Sequence, residues 1–286
     1  MNQKAFLTEC PRDAMQGLSH FIDTANKIKY LEALLAVGFD VLDFTSFVHP
    51  KAIPQLADAE LVAKALSTYQ GPTKLLAIVG NVRGVERLVQ FPHIGLIGFP
   101  FSVSPTFLAR NIHSDVEEAA QRLKAIQALA IHHQKEVVAY LSMAFGNPYG
   151  DPWSVEIVQQ SVEKLAESGI RRIALSDTIG EAQPEDIYTL FSSLIPAFPQ
   201  VHFGAHFHTR PDNWKANLEA AWESGCRHFD GAIRGLGGCP MAKNDLTGNL
   251  PTELLLEFLK EKKAESAIQT PAFEHAYALA GQIFMA

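Results

Sequence analysis

The sequence predicts an α/β fold, a (β/α)₈ TIM barrel with an extra C-terminal helix. Short apolar runs rich in β-branched and aromatic residues alternate with longer segments of helical period across the 286 residues. This alternation is typical of βα units that surround a parallel sheet. Eight such runs occur, each followed by a helical segment, and closure into a barrel accounts for that number.

The predicted elements follow one another along the chain. The strands are predicted at 5–8, 40–45, 74–79, 94–98, 136–142, 172–176, 201–206 and 227–232. The helices are predicted at 24–37, 58–67, 82–90, 114–133, 152–168, 184–195, 213–224 and 251–262, with the extra helix at 271–285. Gly38, Gly169 and Gly225 each follow a helix, as expected for left-handed C-caps.

An open, doubly wound sheet is the alternative architecture. It is disfavoured because no G-x-G-x-x-G fingerprint follows the first strand. No linker-like or low-complexity stretch interrupts the alternation. Residues 1–286 are therefore predicted to form a single catalytic domain.

Composition and charge exclude several classes of partner. The chain is 47% hydrophobic and 19% charged, with a net charge of −7 and no long run of like charges, so we expect neither a nucleic-acid partner nor a membrane surface. Its three cysteines suggest no disulfide framework. No leader peptide is apparent, and no apolar run reaches the ~18 residues of a membrane helix. These features predict a cytoplasmic location.

Polar side chains cluster where a barrel carries its functional groups, at the C-terminal ends of the strands and in the loops that follow. The residues predicted there are Arg12, Asp13, Asp43, Asp177, His206, His208, Cys239 and Asn249. They come from several different strands, so a shared site at one end of the barrel is expected.

His206 and His208 are the strongest candidates for metal ligands. Residues two apart on a strand point to the same face, so both imidazoles would meet at one spot. Ordinary strand histidines with backbone partners are the alternative. His202 has the same parity but lies about 13 Å further down the strand, so it is predicted to be structural.

Asp13 and Asn249 would complete an oxygen and nitrogen ligand set. Asp13 offers a carboxylate, although an aspartate after a strand is also a common turn former. Asn249 offers an amide oxygen, although it also suits a loop before a helix. Such a set without thiolate favours Mg²⁺, Mn²⁺ or Co²⁺. Cys239, in a glycine-rich loop, is predicted to be a proton donor rather than a nucleophile.

Five motifs in chain order together resemble 3-hydroxy-3-methylglutaryl-CoA lyase, a metal-dependent TIM-barrel family. They are PRDAMQ at 11–16, DFTSFVHPK at 43–51, DTIG at 177–180, HFH at 206–208 and GLGGCP at 235–240. The resemblance implies cleavage of 3-hydroxy-3-methylglutaryl-CoA to acetyl-CoA and acetoacetate. It also implies a bound divalent cation (Mg²⁺ or Mn²⁺), a CoA thioester as substrate, a homodimer and a role in leucine degradation.

Roles are carried over residue by residue. The resemblance makes Asp13, His206, His208 and Asn249 the cation ligands, Arg12 the group that stabilises the enolate, and Cys239 the acid. His206 or Asp13 would act as base, and Asp43 occupies the position of a catalytic glutamate. Gln16, Tyr149 and Asp177 are expected near the substrate.

The sequence departs from the family pattern at several positions. Thr209 and Arg210 follow the histidines where the family usually has Asp-Thr, and Arg210 could bind an additional carboxylate or a CoA phosphate. Pro105 replaces a usual glutamate, and Asp43 is one methylene shorter than the glutamate it replaces. The identity of the acyl group is therefore left open.

Three other functions remain open from the sequence alone. One is a Claisen-condensing acyltransferase, although such synthases usually carry further C-terminal segments. A pyruvate aldolase of the same superfamily is another, although the GLGGCP loop argues against it. The last is a barrel that kept its metal site and lost turnover.

Overall fold

The computed structural model describes residues 3–238 and 247–284, and its eight parallel strands close into a barrel. The strands are β1 (Phe6–Glu9), β2 (Val41–Ser46), β3 (Lys74–Ile78), β4 (Ile94–Ser102), β5 (Glu136–Ser142), β6 (Arg172–Asp177), β7 (His202–Thr209) and β8 (His228–Gly231). Pairing runs from β6 through β1 to β8 and β7, and a β6–β7 pairing closes the ring. The predicted fold class is confirmed.

A ring of helices covers the barrel. They are α1 (Pro11–Gln16), α2 (Thr24–Leu35), α3 (Ala59–Ala65), α4 (Val82–Leu88), α5 (Pro105–Ile112), α6 (Val116–His132), α7 (Val155–Glu167), α8 (Pro184–Ala197), α9 (Trp214–Glu223), α10 (Thr252–Glu261) and α11 (Thr270–Phe284). The extra C-terminal helix, α11, packs against α2. None of the helices in the described ranges is both long and apolar enough to cross a membrane.

The structure adds three elements that the hydrophobic pattern did not predict. Helices α1 and α5 are short and each begins with a proline at its first position, where the missing N–H costs nothing. A two-residue strand, β9 (Gly248–Asn249), pairs antiparallel with the end of β7. This pairing extends β7 to Thr209, beyond its predicted end at residue 206.

Two apolar layers support the functional end of the barrel. The large core lies between the strands and the helices, as the burial of Leu7, Phe99 and Phe229 shows. A smaller cluster inside the barrel includes Leu76 and Tyr140. His202 is the exposed first residue of β7, at the opposite end of that strand from His208, in agreement with its predicted structural role.

A buried ion pair holds the segment between β2 and α3, which forms one wall of the functional end. Lys27 of α2 is 1% exposed, and its ammonium lies 2.8 Å and 3.0 Å from the two carboxylate oxygens of Asp58. The same ammonium donates to the carbonyl of Gln55. Gln55 in turn accepts from the backbone N–H of Ile22.

We expect Asp58→Ala to lower the free energy of unfolding by about 3–5 kcal/mol, because the Lys27 ammonium would stay buried without its partner. The matched control is Glu60→Ala, which breaks the exposed pair with Arg87 and should cost at most about 1 kcal/mol. Urea denaturation of both variants measures the difference. An equal loss of unfolding free energy in the two variants would contradict a larger contribution from the buried pair.

A second prediction concerns Glu9, a buried carboxyl that accepts hydrogen bonds from Ile233 N–H and the Thr252 hydroxyl. Burial raises the pKa of Glu9 from 4.5 to about 8. As the pH rises, the unfolded chain therefore loses this proton first, and the free energy of unfolding falls between about pH 4.5 and 8. Glu9→Gln should flatten that decline in urea titrations across this window. An unchanged slope would contradict the assignment.

Candidate functional site

A cavity of about 480 Å³ lies at the C-terminal ends of the strands. Its polar lining includes Arg12, Asp13, Gln16, Ser142, Ser176, Thr178, His206 and His208. Part of its wall is apolar, with Val48 and Ile53 from the segment after β2 and Phe107 and Ile112 from α5. This is the end of the barrel at which the sequence placed the functional groups.

Asp13, His206 and His208 meet in this cavity. One potential ligand atom from each residue lies within 4.8 Å of the other two, and all three side chains are buried. The histidines share a face of β7, and their ring centroids are 5.5 Å apart. Asp13 reaches them because Pro11 starts α1 directly after β1, which turns the chain over the mouth of the barrel.

One oxygen of Asp13 is left for a cation. Its Oδ1 accepts from Arg12 Nη1 at 2.9 Å and also from Gln16. Its Oδ2 is buried and accepts no hydrogen bond within the described residues, and it lies 3.5 Å from His208 Nε2. A buried carboxylate oxygen with only this long contact is poorly satisfied, and a divalent cation shared with the imidazoles would satisfy it. The residues present therefore fit a cation.

Asp13 is kept ionised by its neighbours. Burial opposes its charge, but the Arg12 guanidinium and the adjacent imidazole of His208 outweigh burial and hold the pKa of Asp13 well below its usual range. A permanently charged carboxylate is what a cation ligand requires.

Arg12 is fixed by a paired contact with Asp43 on β2. Arg12 Nε lies 3.0 Å and Nη2 lies 2.5 Å from Asp43 Oδ2. Nη1 donates to Asp13 and, at 3.1 Å, to the side-chain oxygen of Gln16. Burial raises the pKa of Asp43 to about 6, although Arg12 opposes that rise. Asp43 is thus ionised at neutral pH, and it holds the guanidinium beside the cation ligands.

Asp230 is a site residue that the sequence analysis missed. On β8 it pairs in register with His206, and its Oδ2 lies 3.0 Å from His206 Nδ1. Burial disfavours the imidazolium of His206, but this hydrogen bond outweighs burial and raises the pKa of His206. The contact leaves Nε2 as the ring nitrogen that can face a cation. The sequence offered one indication of this contact, since β7 and β8 are neighbours in a predicted barrel and residues in register on neighbouring parallel strands lie side by side.

Helix α5 was also missed, and it forms part of the cavity wall. Ser104 caps it by accepting from Phe107 N–H at 3.1 Å, and Asp151 accepts from Ser104 and Thr106. Pro105 occupies the first helical position. The substitution of Pro for Glu at 105 is therefore compatible with this helix.

Asn249 lies beside the histidines through the β7–β9 pairing, in register with His208. Its side-chain nitrogen donates to the carbonyl of Leu236 at 2.8 Å, so the amide oxygen is the atom that would bind a cation. Gly237 (φ +84°) packs closely against α1, and a Cβ at this position would lie 2.5 Å from the Asp13 carbonyl oxygen. Cys239 lies outside the described residues.

Tyr149, Asp177 and Arg210 do not belong to the cavity lining found for the described residues, and their contacts with substrate stay predictions. The carboxylate of Asp177 accepts from backbone N–H groups of residues 179–182, so it shapes a turn. Arg210 donates to the Gly180 carbonyl at 2.6 Å and contacts Asp212. Tyr149 lies under the guanidinium of Arg110, which does line the cavity.

The fold and the cavity define a class of proteins: (β/α)₈-barrel enzymes with carboxylate and imidazole groups gathered at the strand ends. The chain belongs to the HMGL-like family, whose model matches residues 5–279. Membership of this family of carbon–carbon lyases agrees with the resemblance found in the sequence.

Named relatives agree with the family. The hydroxymethylglutaryl-CoA lyase of Bacillus subtilis is 35% identical over 259 residues, which cover 91% of this chain and 86% of the relative. A crystal structure of the Bacillus subtilis HMG-CoA lyase superposes with a TM-score of 0.92 at 33% identity, covering 98% of this chain and 93% of that one. An HMG-CoA lyase from Acinetobacter baumannii, in complex with coenzyme A and 3-methylmalate, gives 0.91 at 27% identity, covering 99% and 92%.

We expect Asp43→Asn to lower kcat about 100-fold, because Arg12 would lose the carboxylate that orients its guanidinium beside the candidate cation ligands. Mn²⁺ should still bind, with an affinity lowered only by the loss of one buried charge, since Asp43 is not among the candidate ligands. Asp13→Asn is the comparison, and it should weaken cation binding itself. Steady-state kinetics together with calorimetric Mn²⁺ titration separates the two effects. Loss of Mn²⁺ affinity in Asp43→Asn would contradict this division of roles.

Proposed function

We propose that this protein is a divalent-cation-dependent lyase that cleaves 3-hydroxy-3-methylglutaryl-CoA, or a close analogue, to acetyl-CoA and acetoacetate. The observation that carries the proposal is the convergence of Asp13, His206 and His208 in the cavity, with Asp13 held ionised by Arg12. Membership of the family and the lyase relatives support the same reaction.

Asp13, His206, His208 and Asn249 would hold the cation. Two imidazoles, a carboxylate and an amide oxygen suit Mg²⁺ or Mn²⁺ better than a structural zinc ion. When bound, the cation would polarise the tertiary hydroxyl of the substrate and so lower its pKa.

Different side chains then transfer the protons and stabilise the charge that develops during cleavage. The tertiary hydroxyl loses its proton to a base, for which the resemblance offers His206 or Asp13, and that oxygen becomes the ketone oxygen of acetoacetate. The lowered pKa of Asp13 makes it the weaker base of the two. The bond to the CH₂ next to the thioester breaks, and its electron pair passes to the enolate of acetyl-CoA. Arg12, held by Asp43, stabilises this charge, a contribution of roughly 3 kcal/mol. Cys239, by resemblance, returns a proton to the enolate carbon.

Cleavage is favoured over the alternatives by the relatives described above, which are named as lyases rather than as synthases or aldolases. A CoA thioester as substrate is supported by the coenzyme A in the Acinetobacter baumannii complex. The homodimer, the cytoplasmic location and the role in leucine degradation stay predictions.

The test is acetyl-CoA release from a panel of 3-hydroxy-3-alkylglutaryl-CoA thioesters, with Mg²⁺ or Mn²⁺ and after EDTA treatment. We expect turnover that EDTA abolishes and added cation restores, because Asp13 and the two histidines cannot orient the hydroxyl alone. Cys239→Ser should lower kcat by orders of magnitude without changing cation binding. Activity that survives EDTA, or no activity on any thioester, would refute the proposal.

A further inference from the structure

A second set of potential ligands lies beneath the first. Cys10, His206 and Asp230 are all buried, and one ligand atom from each lies within 4.8 Å of the other two. The set supplies a sulfur, a nitrogen and an oxygen, whereas the outer set of Asp13, His206 and His208 has no sulfur. The two sets share only His206.

The strand order brings these residues together. β1, β8 and β7 are consecutive in the sheet, and Asp230 is in register with both Thr8 on β1 and His206 on β7. Thr8 and Asp230 line a small cavity of about 50 Å³ inside the barrel. Cys10 has the parity of Thr8, so its side chain also points toward the barrel interior. The backbone N–H of Cys10 donates to the Gly231 carbonyl at 2.8 Å, which fixes the position of Cys10 along the barrel axis.

We propose that Cys10, His206 and Asp230 form an inner site for a thiophilic divalent cation of the Zn²⁺ and Co²⁺ class. Thiolate and imidazole are ligands that such cations prefer over Mg²⁺. The 3.0 Å separation of His206 Nδ1 from Asp230 Oδ2 is close to what two ligands of one ion span at bond lengths of about 2.0–2.2 Å.

The surrounding charges favour a cation at this place. Burial, together with the carboxylates of Asp230, Asp43 and Asp13, raises the pKa of the Cys10 thiol well above its usual value. The carboxylates that disfavour a bare thiolate attract a divalent cation. On binding, the cation displaces the thiol proton to solvent, and the sulfur bonds to the metal.

Sharing His206 makes the two sites compete, an inference that rests on the proposed function. In the inner site Nδ1 must give its lone pair to the metal, so the remaining ring proton resides on Nε2. Nε2 is then lost as a ligand for the catalytic cation. Thiophilic cations should therefore inhibit the lyase in competition with Mg²⁺.

Cys226 provides a contrast within the same chain. It is as deeply buried as Cys10, but its sulfur lies against backbone carbonyl oxygens, 3.3 Å from that of His228 and 4.0 Å from that of Phe203. Among the described residues it belongs to no candidate ligand group. It therefore serves as the matched control.

The deciding experiment uses the full-length double variant Cys226→Ser/Cys239→Ala, in which Cys10 is the remaining thiol of the three in the chain. The protein is titrated with Co²⁺ in the absence of Mg²⁺, and the titration is repeated with added Mg²⁺, which should weaken Co²⁺ binding by competition for His206. We expect thiolate-to-cobalt charge-transfer absorption at one Co²⁺ per chain, with release of protons. Because Cys10 is unchanged, the result does not depend on whether a Cys10 variant folds. No charge-transfer band in this variant would overturn the proposal.

Further substitutions in this background locate the ligands. Cys10→Ser should abolish the band, and Asp230→Asn should weaken Co²⁺ binding by about 10-fold or more. Asp13→Asn should keep the band in this background. Introduced alone into the unsubstituted protein, it should remove Mg²⁺-dependent turnover, so failure of the inner site and failure of the lyase assignment give different results. A band that Asp230→Asn leaves at full affinity would mean that Asp230 only orients His206, and the proposed site would be wrong.

Discussion

Three carboxylates and one guanidinium are buried together at the mouth of this barrel, and their charges do not balance. Arg12 contacts Asp13 and Asp43, while Asp230 contacts His206. With all three carboxylates ionised, one guanidinium leaves two negative charges uncompensated, which is the charge of one divalent cation. Uncompensated buried charge is expensive. The arrangement is therefore stable only with a cation, or with added protons, and the rest of the site depends on that requirement.

The same charge count limits how many cations the site accepts. One divalent ion neutralises the excess, and a second would leave the pocket positive beside Arg12. The shared imidazole imposes the same limit, because Nδ1 of His206 contacts Asp230 and leaves Nε2 as the nitrogen for the outer set. Asp13 belongs only to the outer set, and it also accepts a hydrogen bond from the Arg12 guanidinium.

The sequence was sufficient for the barrel and for the two histidines because both follow from short-range periodicity. Alternation of apolar runs determines the strands, and a two-residue spacing determines that His206 and His208 share a face. Asp230 was missed because its importance depends on the register between β7 and β8. A predicted barrel makes these strands neighbours, but the structure is needed to show that Asp230 lies opposite His206.

Roles of loop residues are harder to assign from the sequence, for a related reason. Asp177 and Arg210 are polar residues at strand ends, where functional residues often lie. In the structure, both side chains form hydrogen bonds with backbone groups at Gly180. Sequence position cannot distinguish a carboxylate that faces a cavity from one that closes a turn. Helix α5 was missed because it is only eight residues long, although Ser104 followed by Pro105 is a helix-start signal.

The shorter side chain of Asp43 shows how the backbone absorbs a departure from the family pattern. A carboxylate one methylene shorter should fall short of Arg12, yet it contacts two nitrogens of the guanidinium. At this point the register between β2 and β3 shifts, between Asp43 and Thr45. Such an irregularity bends a strand and re-aims its side chains. The shift lies next to the residue that contacts Arg12, and a longer side chain in this backbone would have to displace the guanidinium from Asp13.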